Sequence, residues 1–265
     1  MGLFYNIEAA LMRGGNFWLG SFYAFEGSFI EATKFSFWDV FFNYEAVNSY
    51  NSSLWTMKWE VWGSYLLIIV LLCSRVLTQN NSRRLYLFLG ILGIYIWIIS
   101  AALFSFLLGI MIAYIYVNKR IWIERIQKSI FLRVGFTIAT IGAYVGSIVA
   151  GNFQFVFLQE SLYSIAAFWL IGAIIVNPFM QHFFSIKFSR FLGKISFPLY
   201  IVNIFIICTL TSFLIVHYGQ DINTSAILII TAITLISMIL VSWIFYPVEK
   251  FSIKLSSKIA QWILQ

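Results

Sequence analysis

Charge is what this chain has least of. Asp, Glu, Lys and Arg make up 10% of its 265 residues, against 61% hydrophobic residues and a mean hydropathy of +0.89. A soluble domain carries about 25% charged and about 45–50% apolar residues, which excludes a soluble enzyme, a disordered chain and a collagenous one. Histidine is nearly missing, His182 and His217 being the two. Cysteine is as scarce: Cys73 and Cys208 sit inside apolar runs without a Cys-x-x-Cys or Cys/His grouping, so neither a disulfide scaffold nor a metal site is expected. The three prolines do not form the paired helix breaks of a transporter. Pro178 and Pro247 fall just beyond span ends, and Pro198 falls in the first turn of a span, where proline is tolerated. No basic leader or cleavage site comes after Met1, so insertion is expected to rest on internal spans.

The chain is rich instead in long uncharged runs. Val134 to Leu158, Ser161 to Phe179, Ile195 to Gln220 and Ile222 to Val248 contain no Asp, Glu, Lys or Arg. A hydrocarbon layer of about 30 Å takes about 20 apolar residues of helix. The pattern therefore reads as an all-α polytopic membrane protein, a bundle of about seven transmembrane helices. The expected spans are Val61–Leu77, Leu85–Ile99, Ala101–Val117, Ile130–Ala150, Val156–Val176, Ile195–Val216 and Thr224–Tyr246, with a tight turn near Ser100 separating the second from the third. With that count, 14 of the 17 basic residues fall on one side, in loops or at span ends: Arg75, Arg83, Arg84, Lys119, Arg120, Arg125, Lys128, Arg133, Lys187, Arg190, Lys194, Lys250, Lys254 and Lys258. Glu160 and Asp221 fall in loops on the other side. Basic loops stay cytoplasmic, which puts the N-terminus outside and the C-terminus in the cytoplasm of a cell (inner or plasma) membrane. Merging the second and third spans would break the alternation. The net charge of +7 is thus spread over short loops rather than gathered on a nucleic-acid-binding face, and no nucleic acid is expected as partner.

Both ends differ from this bundle, residues 61–249. Residues 1–60 hold six acids against Arg13, Lys34 and Lys58, with many aromatics, and read as an outer-face segment lying on or dipping into the membrane. Residues 250–265 read as an amphipathic cytoplasmic tail helix. Lys250, Lys254 and Lys258 repeat every fourth residue, while Phe251, Leu255, Ile259 and Trp262 line another face near anionic lipid.

The densest polar-aromatic cluster opens the first span, from Asn51 to Tyr65. Glu60 falls there in the first turn of a helix, where the dipole favours a carboxylate. Leu54-Trp55-Thr56-Met57-Lys58-Trp59-Glu60 resembles the Trp-Ser/Thr-Leu-x-x-Glu signature of the membrane acyltransferase-3 family. Three more blocks stand in the family's order: Phe106-Leu107-Leu108-Gly109-Ile110, Phe191-Leu192-Gly193-Lys194-Ile195-Ser196-Phe197-Pro198-Leu199-Tyr200, and Tyr246-Pro247-Val248-Glu249-Lys250. These resemble the family's Phe-Leu-Leu-Gly span, its Leu-Gly-x-Ile-Ser-Tyr-x-Leu-Tyr block and its closing Tyr-x-x-Glu-Lys.

The resemblance implies O-acylation. An acyl group, acetyl in the simplest case, passes from cytosolic acyl-CoA to a hydroxyl of an extracytoplasmic carbohydrate or envelope polymer. The donor is a substrate, and no bound cofactor or metal is expected. Glu60 is the implied catalytic residue; Trp55 is implied with it at the acceptor side, Ser196 and Tyr200 are implied substrate-binding residues lining the bundle, and Lys194 and Arg190 are the basic groups expected to draw in the donor. Members of the family carry an Arg and a His in their first helix, the His serving as base. This sequence shows neither that pair nor the upstream helices, and Asn203 stands where the family often has His. A shortened form that is inactive alone is therefore the expectation. The alternative is a non-catalytic bundle, acting as a sugar or lipid translocation component or as a structural partner.

Overall fold

The computed structural model describes residues 4–12, 17–46, 49–80, 82–218 and 223–263. Arg13 and Asp221 lie outside these residues, as do the side chains of Arg75, Arg83 and Arg84. Among the described residues the protein is all helix, with no strand. Its seven long helices, in chain order, are α1 (Met57–Asn80), α2 (Ser82–Ile99), α3 (Ala101–Asn118), α4 (Ile130–Asn152), α5 (Val156–Val176), α6 (Lys187–Ile206, continued through Ile207–Thr211 and Ser212–Tyr218) and α7 (Thr224–Ile263). Six of them are long and apolar enough to cross a membrane. In α2 the described apolar stretch, Leu87–Ile99, is shorter than that. The fold is that of an all-α, multi-pass membrane protein.

Two helix ends depart from the sequence reading. The helix carrying the sixth span starts at Lys187 rather than near Ile195, so Pro198 lies inside it and not in its first turn. The basic residues Lys187, Arg190 and Lys194 simply form its opening turns, where side chains pointing to water need no loop. Likewise α7 runs on through Pro247 to Ile263 as a single helix of 40 residues, without a break ahead of the lysine-rich tail. Each proline withholds one N–H from the helix ladder, yet both helices run on through it. The expected turn at Ser100 is present: its hydroxyl accepts from the Leu103 N–H at 3.3 Å and caps α3, which keeps α2 and α3 apart.

The chain divides into two compact units, one formed by Met1–Lys58 with Lys187–Gln265 and the other by Trp59–Ile186. In the second, α5 packs against α4 and α3 through small side chains. Ser147, Ala150, Ser161, Ser164, Ala166 and Ala173 are all buried. Lipid tails are as apolar as leucine, so helices in a membrane associate by close approach and polar contacts rather than by hydrophobic burial. Ser105 donates to Ser164 at 2.8 Å, Ser164 to the Ala101 carbonyl at 2.9 Å, and the Trp97 indole to Ser161 at 2.9 Å.

In the first unit, α6 and α7 run antiparallel. Met238 packs on Val202 and Ile206, and the hydroxyls of Thr211 and Thr234 meet at 2.8 Å. A π turn at Ile207–Thr211 interrupts α6. Such a turn releases backbone groups from the ladder, and the Cys208 carbonyl accepts from the Tyr5 N–H at 3.1 Å. The short helix Asn6–Met12 then seats Ala9 and Ala10 against Cys208 and Ile204. Asn6, fully buried, closes this corner by donating to the carbonyls of Leu19 and Phe22 at 3.0 and 2.6 Å. The N-terminal segment is thus packed onto α6, beyond merely lying on a surface.

Candidate functional site

A polar seam joins the start of the first span to the middle of α6, all within the first unit. Its near side is the 3-10 turn Ser52–Thr56, which leads directly into α1. Asn51 forms that turn by accepting from the Ser53 N–H at 3.0 Å, and its amide donates across to the Ile201 carbonyl at 2.7 Å. Ser53 donates to Asn203 Oδ1 at 2.8 Å, and the Thr56 hydroxyl meets the Tyr200 hydroxyl at 2.8 Å with either able to donate. Two residue blocks almost 150 positions apart in sequence are thereby held together by three hydrogen bonds. Ser53, Thr56, Tyr200 and Asn203 are each half-buried.

These groups are chemically hydroxyls and amides. They can orient a hydroxyl-bearing molecule and donate to its oxygen, but none takes a proton at neutral pH. Histidine is not among them. His217 stands about 20 Å further along α6, 14 residues beyond Asn203 at the usual helical rise, and its ring stacks on Phe213 at 5.9 Å. Tyr23 is no substitute base. Burial first, and Cys208 second, push its phenol up to about 12, so it stays protonated.

The sequence-derived site residues separate. Tyr200 is in the seam, and Trp55 is on the same turn with its ring 56% exposed. Ser196 is exposed and spends its hydroxyl on the Gly193 carbonyl of its own helix, at 2.9 Å. Lys194 and Arg190 are exposed on the opening turns of α6. Glu60 lies in the first turn of α1, exposed, and falls in the other unit. Sequence reasoning named neither Asn51, Ser53 nor Thr56 as contacts of α6. The signal was present only as a run of Asn and Ser ahead of the tryptophans, which reads equally as a helix cap.

Glu249, in the Tyr246–Lys250 block, stands apart from the seam. Its Oε2 is enclosed and has no hydrogen-bond partner among the described residues, a costly state for a carboxylate oxygen. Following the antiparallel register set by Thr211 and Thr234 down α7 brings Glu249 level with residues 193–196 of α6.

The second unit holds an apolar groove of about 500 Å³ between α3 and α5, lined by Gly109, Ile112, Tyr116, Ile171 and Ile174, with Gln181 at its end. Beside it the last turn of α5 is closed by two glutamines, Gln127 and Gln181, both donating to the Ile175 carbonyl. The helix Arg120–Lys128 that carries Gln127 presents a basic face, with Arg120 pairing to Glu124 at 3.6 Å.

Compared with known proteins, residues 10–247 match a family model, that of the acyltransferase domain of the acyltransferase-3 family. Neither a curated protein nor a solved structure matches the chain.

Proposed function

Because this chain belongs to the membrane acyltransferase-3 family, we propose that this acyltransferase-like membrane protein serves O-acylation, passing an acyl group from acyl-CoA in the cytosol to a hydroxyl of an extracytoplasmic carbohydrate. The observation that carries this reading is the seam. Thr56, from the block around Trp55 and Glu60, bonds Tyr200, from the block around Ser196, at 2.8 Å. Hydroxyls and amides gathered there, about 9 Å along α6 from Lys194, suit an acceptor sugar that reaches into the bundle from the outer side. Trp55 offers an exposed ring beside them, and aromatic faces pack against the apolar faces of sugars. Glu60, in the first turn of α1, is the carboxylate that the family signature assigns to catalysis. Lys194 and Arg190 on the opening turns of α6 collect the phosphates of the donor. The assigned membrane is the cell membrane, with the basic loops in the cytoplasm.

In acyl transfer to a hydroxyl the new C–O bond forms as the thioester C–S bond breaks, and the hydroxyl proton goes to a base. Among the described residues the seam has no such base, so the chain is assigned a partner that supplies one. The test uses membranes bearing the full chain, either alone or together with the Arg- and His-bearing helices of another family member. Labelled acetyl-CoA is supplied on the cytoplasmic side with a hydroxyl acceptor opposite. Base-labile label on the acceptor is expected only with the added helices. Transfer by the chain alone that His217→Ala abolishes would overturn the assignment and make His217 the base.

A second reading has one observation in its favour, the distance of about 20 Å along α6 between the seam and His217. A non-catalytic bundle that binds a sugar or lipid-linked sugar, as a translocation component or structural partner, needs the seam but no base. Acceptor binding without transfer under both conditions would support it.

A further inference from the structure

Helix α7 is longer than a membrane requires. Its 40 residues span about 60 Å, while a hydrocarbon layer of about 30 Å takes up about 20 of them. Thr224–Tyr246 already fills that length, and Thr234 and Met238 fix this part against α6. Beyond Glu249 the helix is left uncovered: every described side chain from Lys250 to Trp262 is exposed. The uncovered part is two-sided. Around the helix axis, Lys250, Lys254 and Lys258 advance by about 40° per step and stay within an arc of about 80°. Phe251, Trp262, Leu255 and Ile259 occupy the next arc, at 67%, 78%, 47% and 49% exposure. Residues 250–265 contain no Asp or Glu. Pro247 stands at the junction and lacks the N–H that would hold the Trp243 carbonyl, so the helix is easiest to bend there.

We propose that residues 250–263 dock on the anionic headgroup layer of the membrane, hinging at Pro247, with the Phe251–Leu255–Ile259 face in the acyl boundary and the three lysines on lipid phosphates. Charge decides the occupant. A second copy packed on the same apolar face would bring two rows of lysines alongside each other, because Lys258 borders Phe251 around the helix. A negatively charged leaflet instead satisfies both arcs at once. Each lysine near such a surface strengthens attachment by about fivefold and the three together by on the order of a hundredfold. Docking there fixes the depth of α7 and, through Met238 and Thr234, that of its partner α6.

The test places a nitroxide at Ile259 or at Ser257 in the full chain, with Cys73 and Cys208 replaced. The protein is reconstituted in vesicles of phosphatidylcholine alone or of phosphatidylcholine and phosphatidylglycerol in equal parts. Accessibility to oxygen, which partitions into lipid, is compared with accessibility to a water-soluble nickel chelate. In the mixed vesicles the Ile259 label should favour oxygen and the Ser257 label nickel. In neutral vesicles, and in the mixed vesicles with Lys250→Gln, Lys254→Gln and Lys258→Gln together, the Ile259 label should move to the nickel side. The lipid comparison needs no lysine variant, so it stands whether or not the triple variant folds. An Ile259 label that stays on the nickel side in mixed vesicles, or that favours oxygen equally in both lipids, overturns the proposal. So does spin–spin coupling between Ile259 labels on two copies, which would make a second chain the occupant.

Discussion

Gly63 and Phe106 offer a sharp test of how α1 is held. Gly63 is buried in the second turn of α1, three residues beyond Glu60, and the ring of Phe106 in α3 lies directly over its Cα, where a Cβ would collide with the ring tip. Two effects of Gly63→Ala oppose each other. Alanine is favoured over glycine inside a helix by about 0.8–1 kcal/mol, whereas overfilling a packed contact costs about 1–3 kcal/mol. In the parent protein the clash wins or nearly cancels, giving a net loss of about 0–2 kcal/mol. With Phe106→Leu, which removes the tip of the ring, the clash disappears and the same substitution should stabilise by up to about 1 kcal/mol. The coupling in the four-member cycle is therefore about 1–3 kcal/mol, well above the few tenths expected for independent sites. Gly109→Ala is the control, since no atom lies within contact of its would-be Cβ and no loss is expected. Reversible unfolding in mixed micelles, followed by tryptophan fluorescence, reads all five proteins. If Gly63→Ala stabilises the parent, or if Phe106→Leu leaves its effect unchanged, the contact between α1 and α3 is not as described.

The Thr56→Val and Tyr200→Phe pair should show a coupling of about 0.6 kcal/mol, and not above about 1.7, by the same unfolding measurement, since hydrogen bonds between membrane helices average that little. Cysteines placed at Ser129 and Ser185 should resist an impermeant thiol reagent in intact cells while one at Phe153 reacts, and the reverse pattern would invert the topology. Lys194→Glu with Arg190→Glu should weaken acyl-CoA binding at low salt and matter less at physiological salt, where screening acts within about 8 Å. Unchanged binding at low salt would refute the donor assignment. Glu60→Gln should lower turnover while membrane insertion, followed by protease protection, stays normal.

The bundle was legible because lipid makes one demand on sequence, a long apolar run with almost no charge, and Ile130–Asn152, Val156–Val176 and the apolar part of Thr224–Ile263 meet it openly. Helix ends were less legible. Lys187, Arg190 and Lys194 look like a loop in the sequence because charge marks the end of a membrane span, yet a helix can emerge into water with its basic residues still in register. The tail shows its amphipathic pattern plainly, but its continuity with the last span does not show, since proline breaks helices in water more readily than in a membrane. Of the seam, Tyr200 was visible through its block, whereas Asn51 and Ser53 acquire meaning only once α6 is beside them. The seam depends on contacts far apart in sequence, and neither period nor spacing reports those.

The central claim is that the seam serves the acceptor and not the donor. The most direct measurement is steady-state acyl transfer by the complemented protein and by its Tyr200→Phe variant, with acceptor and acetyl-CoA varied in turn. Losing one hydrogen bond of about 1 kcal/mol should raise KM for the acceptor about fivefold, with KM for acetyl-CoA unchanged. A rise in KM for acetyl-CoA instead, or no change in either constant in a variant that folds normally, would contradict the account.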